Sequence, residues 1–163
     1  MLLASSRLAT LTGVGGVGKT RLALRVAAHA QRSFPAGVFL AQLADLNDPG
    51  LVPQVVAIAA GLRDHSDDPV AALSGYLADK QALLVLDNCE HLCDACGFLI
   101  SELLQTCPQV RVLTTSRQAL RIAGEQVFVV PPLSTVDPDQ PMTPDDLEQY
   151  EAAKLPLALR CVR

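Results

Sequence analysis

The stretch Gly13-Val14-Gly15-Gly16-Val17-Gly18-Lys19-Thr20 follows an apolar run, Leu8-Ala9-Thr10-Leu11, and leads into a segment with helical apolar spacing. Glycine loses more freedom on ordering than any other residue. A chain that places four of them in six positions therefore uses them for something. The pattern fits GxxxxGK[ST], a loop whose backbone N–H groups turn inward to meet phosphate oxygens without Cβ collisions. In that reading Lys19 supplies a cation for the β- and γ-phosphates, and Thr20 a hydroxyl ligand for Mg²⁺. The helix that follows directs its N-terminal partial charge at the anion. The loop needs a strand before it and a helix after it, so this feature bounds the possible folds first.

The rest of the chain continues the strand–helix alternation. Strands are expected at Arg7 to Thr12, Gly37 to Leu43, Ala82 to Asp87, Val110 to Thr115 and Gln126 to Val130. Helices are expected at Lys19 to Arg32, Leu51 to Ala60 and Asp68-Pro69 to Leu77, with a long helix after the Ala82 to Asp87 strand that runs to about Gln105 and a short helical piece at Gln118 to Arg121. In the first helix Leu22, Ala23, Val26, Ala27 and Ala30 form the apolar side, and His29 lies on the solvated one. Pro53 is tolerable in a first turn, Gly61 is a stop, and Asp68 is an N-cap with Pro69 behind it. The continuous run Ala82-Leu83-Leu84-Val85-Leu86 reads as a strand buried on both faces. The fold class expected is α/β: a five-stranded parallel sheet, flanked by helices on both faces, with right-handed crossovers. Residues 1–133 form this nucleotide-binding domain. Residues 134–144 are a Pro/Asp-rich linker, and 145–163 start a helical tail that Thr143 could cap and Pro156 interrupts.

Half of the 163 residues are apolar, so a core is easily supplied, and the lack of Trp with few other aromatics suits helices on a parallel sheet. A net charge of −4 argues against a nucleic-acid footprint, so no direct DNA binding is expected. No stretch is long and apolar enough to span a bilayer, and the start lacks the pattern of a signal peptide. A cytoplasmic location with reduced thiols follows as the expectation. Cys89, Cys93 and Cys96 cluster around His91, but the spacing is not that of a zinc knuckle and no second pair follows. Leu92, Cys93, Cys96, Ile100, Leu103 and Cys107 fall on one helical side, where thiols serve as small buried hydrophobes.

A triphosphate site needs a carboxylate for its hydrated metal, and Asp87, at the carboxyl end of an apolar strand, is the candidate. The segment Leu113-Thr114-Thr115-Ser116-Arg117 brings Arg117 to the rim where α/β sheets bind ligands. There an arginine reads a γ-phosphate by charge-assisted hydrogen bonds or makes a surface salt bridge. The expected nucleotide contacts are Gly13, Val14, Gly15, Gly16, Val17, Gly18, Lys19, Thr20, Arg21 and Arg117. Thr20 and Asp87 are the metal ligands.

Together, GVGGVGKTRLAL, LLVLDNCEHL, TTSRQALRIAGE and VVPPL resemble the nucleotide-binding module of STAND signal-transduction ATPases. The likeness is strongest to bacterial regulators of the AfsR and large LuxR type, related to NB-ARC modules, and it runs from about Leu8 to Leu133. It implies a P-loop NTPase sheet with the Arg117 strand between the loop strand and the Asp87 strand. It also implies ATP or ADP as ligand, Arg117 as γ-phosphate sensor, and other domains or subunits of a regulator as partners.

One departure bears on chemistry. Many P-loop ATPases carry an acid directly after the metal-binding Asp, where this chain has Asn88, and an amide cannot take a proton from water. Glu90 is either the displaced carboxylate or a solvated loop residue. The expected function is an ATP/ADP switch module, a fragment or shortened relative of a larger regulator, hydrolysing slowly at most. Lys19, Asp87, Glu90 and Arg117 are the candidate catalytic residues. The alternative is a free-standing ATPase or small-molecule kinase; a GTPase would need an NKxD motif, which does not occur.

Overall fold

The computed structural model describes Leu3, residues 6–62 and residues 68–131. The chain divides after Val130 into two units, of which the first holds the described elements. The expected linker over 134–144, the Thr143 cap and the helix over 145–163 lie outside the described residues.

Five strands build one sheet: β1 (Leu8–Thr12), β2 (Gly37–Gln42), β3 (Ala82–Asp87), β4 (Arg111–Ser116) and β5 (Glu125–Val129). All pairings are parallel, and the order is β2-β3-β4-β1-β5. Thus β4 lies between the loop strand β1 and the Asp87 strand β3. Four helices accompany them: α1 (Lys19–Ala30), α2 (Val52–Ala59), α3 (Pro69–Leu77) and α4 (Cys93–Thr106).

Strand alternation sends successive side chains to opposite faces, and β3 shows the consequence. Ala82, Leu84 and Leu86 join a core with Val52 and Val56 of α2, Leu73 and Leu77 of α3, and Leu99, Ile100 and Leu103 of α4. Leu83 and Val85 join the opposite core with Ala9, Leu11, Leu113 and the α1 alanines Ala23, Ala27 and Ala30. Helices therefore cover both faces, and β3 is buried along its whole length. Each fully buried leucine contributes about 1.5–3 kcal/mol. The α1 contact is made by small residues, which lets that helix approach the sheet closely.

Local signals explain several boundaries. The Asp68 side chain accepts from the Val70 and Ala71 N–H groups and starts α3, with Pro69 in its first turn. Gly61, at φ 83°, follows the end of α2. The Arg7 guanidinium donates to the Leu104, Cys107 and Val110 carbonyl oxygens. A cation thus sits at the C-terminal end of α4 and ties it to the base of β1. Between β1 and β4, the buried Thr114 hydroxyl donates to Thr10 at 2.8 Å.

Two expectations need correction. Leu22, assigned to the inner side of α1, is exposed: the core on this face takes Ala23, Ala27 and Ala30, with the half-buried Val26 packed against them. No helix forms at Gln118 to Arg121. There the Glu125 carboxylate accepts the Leu120 and Arg121 N–H groups at 2.9 and 2.8 Å, and Arg121 adopts φ 60°. A side chain at the start of β5 thus takes the backbone donors that a helix would have used. The first helix also tightens into a 3-10 turn, Gln31–Ser33, after Ala30.

Candidate functional site

Parallel register aligns the carboxyl ends of the inner strands. Thr12 stands beside Ser116, and Leu86 beside Thr114, so Asp87 and Thr115 follow side by side. The loop leaves β1 at this edge and returns into α1.

Its glycines do two different things. Gly13 adopts φ 147°, and a Cβ there would lie 2.9 Å from the Val130 carbonyl oxygen and 3.2 Å from a Val17 methyl. It is the position where the loop passes the edge strand. Gly16 and Gly18 adopt φ 80° and 92°, and no atom lies within 4 Å of an added Cβ at Gly15, Gly16 or Gly18. Those three face open space, which suits a cradle for a ligand rather than packing against protein. Val14 is exposed and Val17 buried beneath the loop.

Gly15, Gly16, Gly18, Lys19, Thr20, Asn88, Glu90, Thr115 and Arg117 line one cleft of about 320 Å³. The Lys19 ammonium donates to the Gly13 and Val14 carbonyl oxygens at 2.9 and 3.0 Å, which uses two of its three protons. Gly13, Val14, Val17 and Arg21, expected among the contacts, do not line this cleft; Arg21 is half-buried on α1.

Asp87 is buried. Thr20 donates to both of its carboxylate oxygens, at 2.8 and 3.1 Å, and Thr115 donates to Oδ1 at 2.6 Å. Among the described residues no basic side chain pairs with it. A buried carboxylate with hydroxyl donors and no counter-charge is an unfavourable arrangement by itself, and it suits a site that accepts a cation.

Asn88 follows in the left-handed region, at φ 69° and ψ 52°, and its N–H donates to Thr115 Oγ1 at 2.9 Å. Asparagine tolerates this conformation better than most residues. The amide that departs from the usual acid therefore stands where the backbone turns sharply out of β3. Thr115 was not among the expected site residues, yet it joins β4 to both Asp87 and Asn88. Its signal in the sequence was only a second hydroxyl beside Thr114, at the end of a strand aimed at the same rim.

Glu90 lies in the 3-10 turn Cys89–His91, and its Oε1 accepts from Arg117 Nε at 3.1 Å. The His91 Nε2 N–H donates to the Leu46 carbonyl oxygen at 2.8 Å and ties this turn to the segment after β2. Cys89, Cys96 and Cys107 are buried and Cys93 half-buried. A hydrogen bond with Cys96, and then burial, push the Cys89 thiol well above its ordinary value, so it stays protonated. Among the described residues, no helix is long and apolar enough to cross a membrane.

Comparison with known proteins agrees with the fold. A NACHT domain model matches residues 7–142. A Mycobacterium tuberculosis (strain ATCC 25618 / H37Rv) protein that bears the name of an HTH-type transcriptional regulator is 42% identical over 137 residues, covering 83% of this chain and 15% of its own length. The regulatory protein AfsR of Streptomyces griseus is 30% identical over 116 residues, covering 66% of this chain and 11% of its own. In fold, the chain is similar to a STAND protein with a tetratricopeptide repeat sensor from Pyrococcus horikoshii. That match has a TM-score of 0.54 and 15% identity, and spans 77% of this chain and 21% of the other.

Proposed function

The chain belongs to the NACHT domain family of STAND P-loop NTPases, and from that premise we propose that it is a nucleotide-binding switch module that takes ATP or ADP with Mg²⁺. The observation that carries the reading is the environment of Asp87: a buried carboxylate, bonded to the Thr20 hydroxyl at the start of α1, without a cation partner among the described residues. The open glycine cradle beside it and the Lys19 ammonium fit phosphate oxygens as Asp87 and Thr20 fit a hard divalent cation.

In this reading Gly15, Gly16 and Gly18 present backbone N–H groups to phosphate, and Lys19 exchanges carbonyl partners for phosphate oxygens. Thr20 and Asp87 hold the metal, which when bound neutralises charge on the β- and γ-phosphates. Arg117 distinguishes the triphosphate from the diphosphate. Asn88 orients water but takes no proton, so hydrolysis is slow, with Glu90 the acid among the described residues that line the cleft. A switch needs the two nucleotide states to differ in their contacts, and Arg117 supplies such a difference.

The chain spans 15% and 11% of the lengths of the two regulators it matches. We therefore assign it the part of a module that passes its nucleotide state to other domains or subunits of a transcriptional regulator. Calorimetric titration with ATP, ADP and GTP, with and without Mg²⁺, tests the reading. Adenine nucleotides are expected to bind in a Mg²⁺-dependent way, and Lys19→Ala to weaken them about tenfold or more through loss of a charge-assisted contact. Equal affinity of wild type and Lys19→Ala for ATP refutes it.

A further inference from the structure

Arg117 and Glu90 come from different elements, the end of β4 and the turn after β3, yet meet at 3.1 Å over the phosphate cleft. The two partners are unequally placed. The Arg117 side chain is 70% exposed, whereas that of Glu90 is 17% exposed. The second carboxylate oxygen of Glu90, Oε2, is buried without a partner among the described residues. Both residues line the cleft that Gly15, Gly16, Lys19 and Thr20 share, and both also line a neighbouring cavity of about 480 Å³ with His91 and Gln118.

This arrangement makes the pair costly to open from one side only. Arg117 is free to swing, since water solvates it wherever it goes. Glu90 is not: once its guanidinium partner leaves, a largely covered carboxylate has neither oxygen engaged by a described side chain. A further negative phosphate group in the same cleft adds repulsion.

We propose that Glu90 is a specificity-determining residue of the nucleotide site: its ion pair with Arg117 competes with the third phosphate and so weakens ATP relative to ADP. This rests on the nucleotide reading above. A diphosphate reaches the glycine cradle with the Arg117–Glu90 pair intact. A triphosphate draws Arg117 away and meets the uncovered carboxylate. The pair thus biases the module toward its diphosphate state, and anything that neutralises Glu90 shifts it toward the triphosphate.

The test is the affinity of the full chain for ADP and for a non-hydrolysable ATP analogue, both with Mg²⁺, measured by calorimetry in four proteins: wild type, Glu90→Gln, Arg117→Ala and the double variant. Glu90→Gln is expected to raise the triphosphate-to-diphosphate affinity ratio about two- to fivefold, the range of a partly exposed ion pair. ADP affinity should move less than that of the triphosphate analogue. The gain should shrink when Arg117 is absent, because simple repulsion by Glu90 would persist there and competition for Arg117 would not. Glu90→Ala repeats the comparison if the glutamine variant melts early. An unchanged or lowered ratio overturns the proposal, as does an equal gain in the Arg117→Ala background. Failure of the wild type to bind either nucleotide overturns the nucleotide reading, and this inference with it.

Discussion

Thr115→Val removes one hydroxyl and almost no volume, which makes it a clean probe of how the site is held. The hydroxyl donates to Asp87 Oδ1 at 2.6 Å and accepts the Asn88 N–H at 2.9 Å, and the residue is 1% exposed. Loss of a hydrogen bond to a charged group costs about 1.5–3 kcal/mol, and an unsatisfied backbone N–H about 1–3 kcal/mol. The two losses share an atom and do not add fully, and valine suits a strand slightly better than threonine. A net destabilisation of about 2–4 kcal/mol follows. With a urea slope of about 2 kcal/mol/M, the unfolding midpoint falls by about 1–2 M. Thr115→Ser keeps the hydroxyl and should recover most of the loss. Urea denaturation followed by circular dichroism reads both variants. If Thr115→Val unfolds at the wild-type midpoint, the hydroxyl does not hold Asp87 and Asn88 together.

The loop glycines separate stability from binding. Gly13→Ala should destabilise the domain by about 2 kcal/mol or more, because its Cβ meets the Val130 carbonyl at a φ of 147°. Gly15→Ala meets nothing within 4 Å, so its thermal melt should stay within about 0.5 kcal/mol of wild type while nucleotide affinity falls. Equal melts for the two variants contradict that division. At Asn88, glycine should be tolerated, and glutamate should cost about 1 kcal/mol for its left-handed backbone. Asn88→Glu should nonetheless raise slow turnover in a phosphate-release assay, since a positioned base is worth about 10²–10⁴-fold. Fast wild-type turnover, insensitive to substitution at both Asn88 and Glu90, removes the basis for calling the site a slow one.

Local chemistry settled a large part of this protein. The glycine loop between a strand and a helix, the unbroken apolar run of β3 ending in Asp87, and the Asp68-Pro69 start of α3 depend on spacing within a few residues. Such features survive transfer from sequence to structure because their partners are near in the chain. The placement of β4 between β1 and β3 came from resemblance alone, and the register explains its use: it carries Thr115 alongside Asp87. Tertiary structure decided the rest. Leu22 has the right spacing for a core residue, yet α1 meets this core through Ala23, Val26, Ala27 and Ala30 and leaves Leu22 exposed. Gln118 to Arg121 has a helical look, yet the Glu125 carboxylate claims its N–H groups. Thr115 and Asp87 are 28 residues apart, and Glu90 and Arg117 are 27 apart. No periodicity reports such pairs. They exist because parallel strands bring distant chain segments to one edge, where a hydroxyl or a guanidinium finds a carboxylate that its own neighbours in sequence could not provide.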